Sequence, residues 1–376
     1  MDKPIPKYVQ VKNEITGWID GGQLRQGDLL PSEHEIATRF GISRQTVRQA
    51  LAALEQEGRL DRVQGKGTYV SSPVPATRPA SAESATPTIG VIATYISDYI
   101  FPHIVRGIES VLRRRGYRLV LFSTDNDKER ERESLERLLR EPLDGLIVEP
   151  TRSAQGNPNF SYYASLDYCG IPYLMINEKY PELNCPVVKV DDESGGHAAA
   201  EHLLQLGHIR IAGFFKTDDM QGVQRLKGFL RAHRERGVPI PPERIVQYGT
   251  DDKQLKPYQA ALDMLSRADR PTAFVCYNDE LAVRLLDAAR LRGISVPESL
   301  SIVGFDDSAL ATATEVKLTT LNHPKFELGA AAAELLLRMI EPEGGEGEEP
   351  KPIDSIIYEP ELIVRESAVV TDNLVK

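Results

Sequence analysis

Apolar positions in residues 1–70 recur at helical spacing in three short runs, then switch to alternation. In VQVKNEITGWI (9–19), Val11, Ile15, Trp18 and Ile19 fall on one side, and Gly21 and Gly22 mark the stop. In LLPSEHEIATRFG, Ile36 and Phe40 face inward and Gly41 ends the run; Ser32 with Glu35 three residues on predicts a capping box. Ser43 predicts the cap of a third helix whose buried stripe is Val47, Leu51 and Leu54, closed by Gly58. RLDRVQGKGTYV then alternates around Gly65-Lys66-Gly67, the signal of a β-hairpin with a glycine-rich tip. Three helices and a hairpin predict a small α+β winged helix-turn-helix domain over residues 1–70.

SSPVPATRPASAESATP (71–87) lacks any large apolar side chain, cannot offset the entropy of ordering, and reads as a flexible linker. From residue 88 the pattern changes to apolar, β-rich runs separated by amphipathic segments. The runs are TIGVIAT (88–94), YRLVLFS (117–123), DGLIVEP (144–150), PYLMIN (172–177), IRIAGFF (209–215), TAFVCYND (272–279) and SIVGFDD (301–307). Strand–helix alternation of this kind predicts parallel sheets. The length of 88–376 predicts a large α/β domain of two doubly wound parallel-sheet lobes. EPEGGEGEEPKP (341–352) reads as an acidic surface loop.

Charge changes the picture at the N-terminus. The chain as a whole carries 45 basic and 55 acidic side chains, a net of -10. Residues 1–72 hold ten of the basic and nine of the acidic groups, which leaves 35 and 46 for the rest. The small domain is therefore the one part that is not acidic. The three cysteines, Cys169, Cys185 and Cys276, sit far apart in no metal-like spacing, and no run approaches the length of a membrane span. The expectation is a cytoplasmic protein without a membrane partner.

Arg44 and Arg48 open the third helix, where the unpaired backbone N–H groups already carry partial positive charge. A nucleic-acid backbone against that end would reverse the conflict, because dipole and arginines then attract the same anion. Arginine pairs with guanine edges or phosphates and Gln45 suits adenine. The alternative is a solvated, amphipathic surface helix. The stretch GDLLPSEHEIATRFGISRQTVRQALAALEQEGRLDRVQGKGTYV resembles the DNA-binding domain of the gluconate-repressor (GntR) family almost end to end. That resemblance implies contacts to operator DNA from Arg44, Gln45, Thr46 and Arg48, and from Gly65 of the wing with Gln64 and Lys66 beside it. Lys7, Ser32, Glu33, His34 and Gly67 complete the candidate DNA-binding set; relatives often carry arginine where His34 stands.

In the large domain, candidate ligand groups sit at the carboxyl ends of predicted strands, where open α/β sheets bind ligands. They are Glu149, Tyr277, Asn278, Asp279, Asp306 and Asp307, with Tyr95, Tyr99 and Phe101 after the first strand and Arg225 in VQRLKGFLRA. Carboxylates accept hydroxyl hydrogens, arginine and asparagine donate to oxygens, and aromatic faces cover sugar C–H groups, so the set suits a neutral polyol. Each strand-end acid has the alternative role of a helix cap. IVRGIESVLRRRGY, DGLIVEP, GGHAAAEHLLQLGHIRIAGF, CYNDELA, SIVGFDDS and LTTLNHPKFELGAAAAELLL resemble the ligand domain of the lactose/galactose-repressor (LacI/GalR) family, which is also similar to periplasmic sugar-binding proteins. The resemblance implies effector contacts at Arg225, Asn278 and Asp306, with Glu149 beside them and His323 where relatives often carry glutamine. It makes 88–376 an effector-binding and dimerisation domain.

A GntR-type head on a LacI/GalR-type body, together with TYISDYIFP, resembles the L-arabinose-responsive regulators of Gram-positive bacteria. It implies a homodimeric transcriptional repressor that binds a palindromic operator and is released by a monosaccharide, L-arabinose or a similar sugar, with no cofactor. Another sugar or a purine as effector, or a sugar-binding protein without a DNA role, are the alternatives. His197 and His202 are five apart on a helix and do not share a face, so no metal site is expected. No nucleotide-binding glycine loop and no nucleophile–base pair argues for an enzyme. DNDKERERESLERLLRE (125–141) reads as a solvated charged helix with its leucines inward.

Overall fold

The computed structural model describes residues 7–21, 23–25, 28–56, 59–63, 67–70, 86–97, 99–341 and 353–371. These fall into two compact units, within 1–82 and within 83–376. The linker 71–87, apart from its last two residues, and most of the acidic loop 341–352 lie outside the described residues.

The first unit holds α1 (Lys7–Asp20), α2 (Glu33–Phe40) and α3 (Arg44–Gln56), then β1 (Leu60–Val63) paired antiparallel with β2 (Gly67–Val70). Val11, Ile15, Trp18, Ile36, Val47, Leu51 and Leu54 from the apolar stripes of the three helices are buried in one core with Leu60 and Val70, and Ile19 and Phe40 pack against it half-buried. The capping box forms: Ser32 Oγ accepts from Glu35 N at 3.3 Å and Glu35 accepts from Ser32 N at 2.7 Å. Gly41 ends α2 in the left-handed region at φ 63°, which a residue with a Cβ rarely adopts. Ser43 Oγ then accepts from Thr46 N at 3.2 Å and starts α3 only three residues later. This short turn sets α3 against α2, and the recognition-type geometry follows from local caps.

The second unit contains two six-stranded sheets. In the first, the strands run Ile356–Tyr358, Val187–Val190, Tyr173–Ile176, Gly145–Val148, Thr88–Ala93, Arg118–Ser123 across the sheet, all parallel. In the second the order is Leu362–Ile363, Thr319–Asn322, Ser301–Asp306, Ala273–Cys276, Ile211–Lys216, Ile245–Tyr248, parallel except for Leu362–Ile363. The sequence pattern missed five of these strands. Val187–Val190, Ile245–Tyr248 and Thr319–Asn322 each contain a polar residue within four, and Ile356–Tyr358 and Leu362–Ile363 have only three and two residues. Pairing with a neighbour, not local composition, makes them strands.

The described chain crosses between the lobes three times: before the helix Asp192–Gln205, between Thr319–Asn322 and the helix Lys325–Ile340, and between Ile356–Tyr358 and Leu362–Ile363. All three crossings lie at one edge of each sheet. The opposite edges are Arg118–Ser123 and Ile245–Tyr248, and the loops that follow them are free to meet across the gap.

Candidate functional site

In the first unit, the structure brings Lys7, His34, Arg44 and Thr46 around one shallow depression with Ser43. Arg44 and Gln45 are exposed on the first turn of α3, Thr46 is half-buried, and Ser32 is committed to its cap. Gln64, Gly65 and Lys66 lie outside the described residues, and Gly67 opens β2. Arg48 has a carboxylate partner within the head. Its guanidinium meets the Glu33 carboxylate through Nε at 3.2 Å and Nη2 at 2.8 Å. A polyanion is therefore not the only group that offsets this charge. Glu33 itself sits in the first turn of α2, where the helix dipole favours an acid. The Arg48 side chain still keeps 62% of its surface open, and the pair is within reach of an incoming competitor.

In the second unit a cleft of about 510 Å³ opens between the lobes, a size suited to a small-molecule site. Tyr95, Tyr99, Phe101, Arg225, Tyr277, Asn278, Asp306 and His323 all line it. Arg225 is its centre. Gly196 and Gly228 let the helices Asp192–Gln205 and Met220–Arg236 touch, since a Cβ at these positions would lie 2.1 Å from Arg225 O and 2.0 Å from Glu193 O. That approach delivers Arg225 Nε to Asp192 Oδ1 at 2.7 Å, with Nη1 donating to Tyr277 O at 2.5 Å. Asp306 stands 3.7 Å from Nη2, and the guanidinium lies 3.5 Å from the Phe305 ring centroid. Burial opposes the charge of Arg225, but Asp192 and Asp306 outweigh it and hold its pKa above the usual value. Burial pushes the Asp192 carboxyl up to about 6 and raises Asp306 as well, against the pull of Arg225.

Two expected contacts stand behind the cleft wall. Glu149 accepts from Thr94 N at 2.8 Å and from Asn177 Nδ2 at 2.7 Å, so its carboxylate is consumed by two cleft residues and does not itself line the space. Asp279 accepts from Ser308 N at 2.8 Å and Thr320 Oγ1 at 2.6 Å, and is likewise off the wall. Burial first, then the charge of Asp306, pushes Asp279 up to about 7. Asp279 thus serves as the acceptor for the Ser308 backbone N–H and for Thr320. Of the two neighbouring acids, Asp306 lines the cleft and Asp307 pairs with Arg365 at 2.6 Å.

The structure also supplies groups that sequence reading missed. Asn177, Asp192, Lys216, Asp219 and Gln221 line the cleft. Lys216 is buried and its Nζ lies 2.8 Å from Asp219, which with Asp218 raises its pKa against the burial penalty. Asp192 and Asp219 begin helices, a signal that reads as capping alone. Tyr99, Asn126, Asn177 and Asp306 all have positive φ (59°, 59°, 63° and 98°) and all line the cleft. Such backbone persists only where the surroundings enforce it, and it concentrates here.

Across the mouth, at the edges far from the crossovers, the lobes are clasped. Asn126 Nδ2 donates to Thr250 Oγ1 at 2.6 Å, Arg152 Nη2 to Asp251 Oδ1 at 2.9 Å, and Met220 N to Ser153 Oγ at 2.9 Å. Lys253 Nζ sits 4.8 Å above the Tyr95 ring. The charged helix Lys128–Leu139 contributes through Glu131, which is fully buried rather than solvated. Glu131 accepts from Tyr180 OH at 2.6 Å, Tyr163 OH at 3.0 Å and Thr151 N at 3.2 Å, and so anchors the loop that carries Arg152.

Comparison with known proteins agrees with this division. Residues 7–70 match the model of bacterial regulatory proteins of the gntR family, and residues 200–368 that of a periplasmic binding protein-like domain. The chain is 57% identical over 368 residues to the arabinose metabolism transcriptional repressor of Geobacillus stearothermophilus, covering 97% of this chain and 98% of that one. The chain belongs to this repressor family. The arabinose metabolism transcriptional repressor of Halalkalibacterium halodurans is 46% identical, with 96% of each chain covered. Among solved structures, the repressor is similar to a LacI family transcriptional regulator from Enterococcus faecium with bound ribose (30% identity, TM-score 0.63, 75% of this chain and 99% of that one). It shares its fold with CcpA of Lactococcus lactis (24% identity, TM-score 0.64, 75% and 99% covered). The repressor thus joins a gntR-type head to a periplasmic-binding-protein-like body. No helix among the described residues is long and apolar enough to cross a membrane.

Proposed function

We propose that this repressor holds L-arabinose in the interlobe cleft and that the sugar weakens its grip on operator DNA. One observation carries the reading. A buried arginine between two carboxylates shares the cleft with two buried acceptors that have no partner, His323 Nδ1 and Gln221 Oε1. An unsatisfied buried polar atom costs roughly 1–3 kcal/mol. Sugar hydroxyls would donate to these atoms and to Asp306, while sugar oxygens would accept from Arg225 and Asn278. Tyr95, Tyr99, Phe101 and Tyr277 supply aromatic surface for the C–H groups. The names of the Geobacillus stearothermophilus and Halalkalibacterium halodurans relatives support a pentose as the sugar.

The head contacts DNA through Lys7, Ser32, Glu33, His34, Arg44, Gln45, Thr46 and Arg48, with the wing residues 64–67 beside them. Two copies read a palindromic operator as a homodimer, since half-sites mirror protein symmetry. Sugar favours one lobe arrangement, and that arrangement disfavours operator. Linkage then requires operator to weaken sugar by the same factor, on the order of 1–3 kcal/mol of coupling.

The test uses the full chain. Duplexes selected by it from a random library should contain inverted repeats, and L-arabinose should release them. Calorimetry against a panel of pentoses, hexoses and a purine base should place L-arabinose first. Release by a different panel member with no heat from L-arabinose would replace the effector.

A further inference from the structure

The crossover residue His323 is buried, and its ring is set by a chain of hydrogen bonds that begins two side chains away. Glu149 Oε2 accepts from Thr94 N at 2.8 Å and from Thr94 Oγ1 at 2.5 Å. Its other oxygen, Oε1, accepts from Asn177 Nδ2 at 2.7 Å. A carboxylate can only accept, so it selects the NH2 end of the Asn177 amide. The Asn177 backbone is pinned as well, at φ 63° with its N donating to Val188 O at 2.9 Å. Asn177 Oδ1 is thereby turned to His323 Nε2, 3.1 Å away. An amide oxygen can only accept, so His323 must carry its hydrogen on Nε2. The remaining nitrogen, Nδ1, is then a bare lone pair, buried and without a partner. His323 lines the cleft.

We infer that Glu149 is a positioning residue that acts through Asn177 to fix the His323 tautomer, so that the cleft demands a hydroxyl donor from its ligand at that point. This rests on the cleft being the sugar site. Burial, with Lys325 and Arg225 nearby, holds the ring's pKa down to about 3, so one neutral form serves throughout the working range. A sugar lacking that hydroxyl, or carrying it as a methyl ether, leaves Nδ1 unsatisfied and binds roughly tenfold to a hundredfold more weakly. The relay accounts for a buried acid that stands behind the cleft wall.

The experiment is nitrogen NMR of the full chain with 15N-labelled histidine. The chain has 7 histidines, and the loss of a signal in His323→Gln assigns the one in question. Ligand-free protein should show a protonated Nε2 and an unprotonated Nδ1 for His323. Glu149→Gln sharpens the test. Its amide oxygen must still accept from Thr94, so its NH2 faces Asn177, the Asn177 amide turns over, and its NH2 now faces His323. The His323 signals should exchange their identities, and L-arabinose should bind roughly tenfold to a hundredfold more weakly. An Nδ1-protonated ring in the unsubstituted protein overturns the inference, whether or not the variant folds. So does a Glu149→Gln protein with unchanged signals and unchanged affinity. An unsubstituted protein with the expected tautomer but no affinity for L-arabinose would sink the choice of sugar and leave the relay standing.

Discussion

Two arginines, one in each unit, show how differently the same side chain is held. Arg48 pairs with Glu33 on an open surface, and 62% of its side chain is exposed. Arg225 pairs with Asp192, carries 6% exposure, and stacks on Phe305. An exposed ion pair contributes little, because water and salt serve either partner nearly as well. A buried pair is costly to break, because the surviving charge is left in a poor medium. The first arrangement suits a group that exchanges a protein carboxylate for a nucleic-acid partner. The second suits a group that must already be in place when a small ligand arrives. Exchangeability belongs to the head and preorganisation to the cleft.

Arg225→Ala gives the largest expected effect. It strands the Asp192 carboxylate inside the protein, at a cost of about 3–5 kcal/mol. Thermal or urea unfolding should register that loss, and calorimetry should find no L-arabinose binding. If stability falls by less than about 1 kcal/mol, the pair is not the buried one described. Next comes Arg48→Ala, which should leave the melting temperature nearly unchanged while operator discrimination falls about tenfold to a hundredfold. Competition binding of selected against scrambled duplex measures it; unchanged discrimination takes Arg48 out of base readout.

Arg152 is the intermediate case, 24% exposed against an Asp251 that is 78% exposed. Arg152→Ala loosens the clasp at the cleft mouth, and stopped-flow should find sugar leaving a few-fold faster with operator affinity of the sugar-free protein unaltered. The last case concerns Asp279, whose carboxyl is raised from 3.8 to about 7 by burial and Asp306. A raised acid contributes stability that is full below its unfolded value and is lost as pH rises through the folded one. Stability should therefore decline from about pH 4 to pH 7, and Asp279→Asn should flatten that slope in melts taken across the range. An unaltered slope would move the titration to another group, Asp192 first.

Legibility differed between the units for the same reason. Ser32 with Glu35, Gly41 and Ser43 act within three or four residues, so the helices of the head could be read from adjacent letters. The cleft groups come together from segments as far apart as Tyr99 and Asp306, and nothing local encodes their distance. Strand-end position pointed to Asn278 and Asp306, and both line the cleft. It also pointed to Glu149 and Asp279, which turn to Thr94, Asn177, Ser308 and Thr320 instead. Both readings satisfy a buried acid, and only the neighbours decide. The charged run 125–141 hid Glu131 for a related reason: its partners Tyr163 and Tyr180 lie far along the chain.

Asp306 and Asp307 mark the boundary between the two kinds of information. The chain alone determined that SIVGFDD would be a buried strand and that two acids would stand at its end, because β-period and apolar content are local. It also determined the caps, stops and stripes of the head. Which acid enters the cleft, and that Arg48 already has a carboxylate, depended on groups brought close only by packing. Electrostatic and hydrogen-bond energies fall off within a few ångströms, so they act on distance in space, which a linear sequence does not contain.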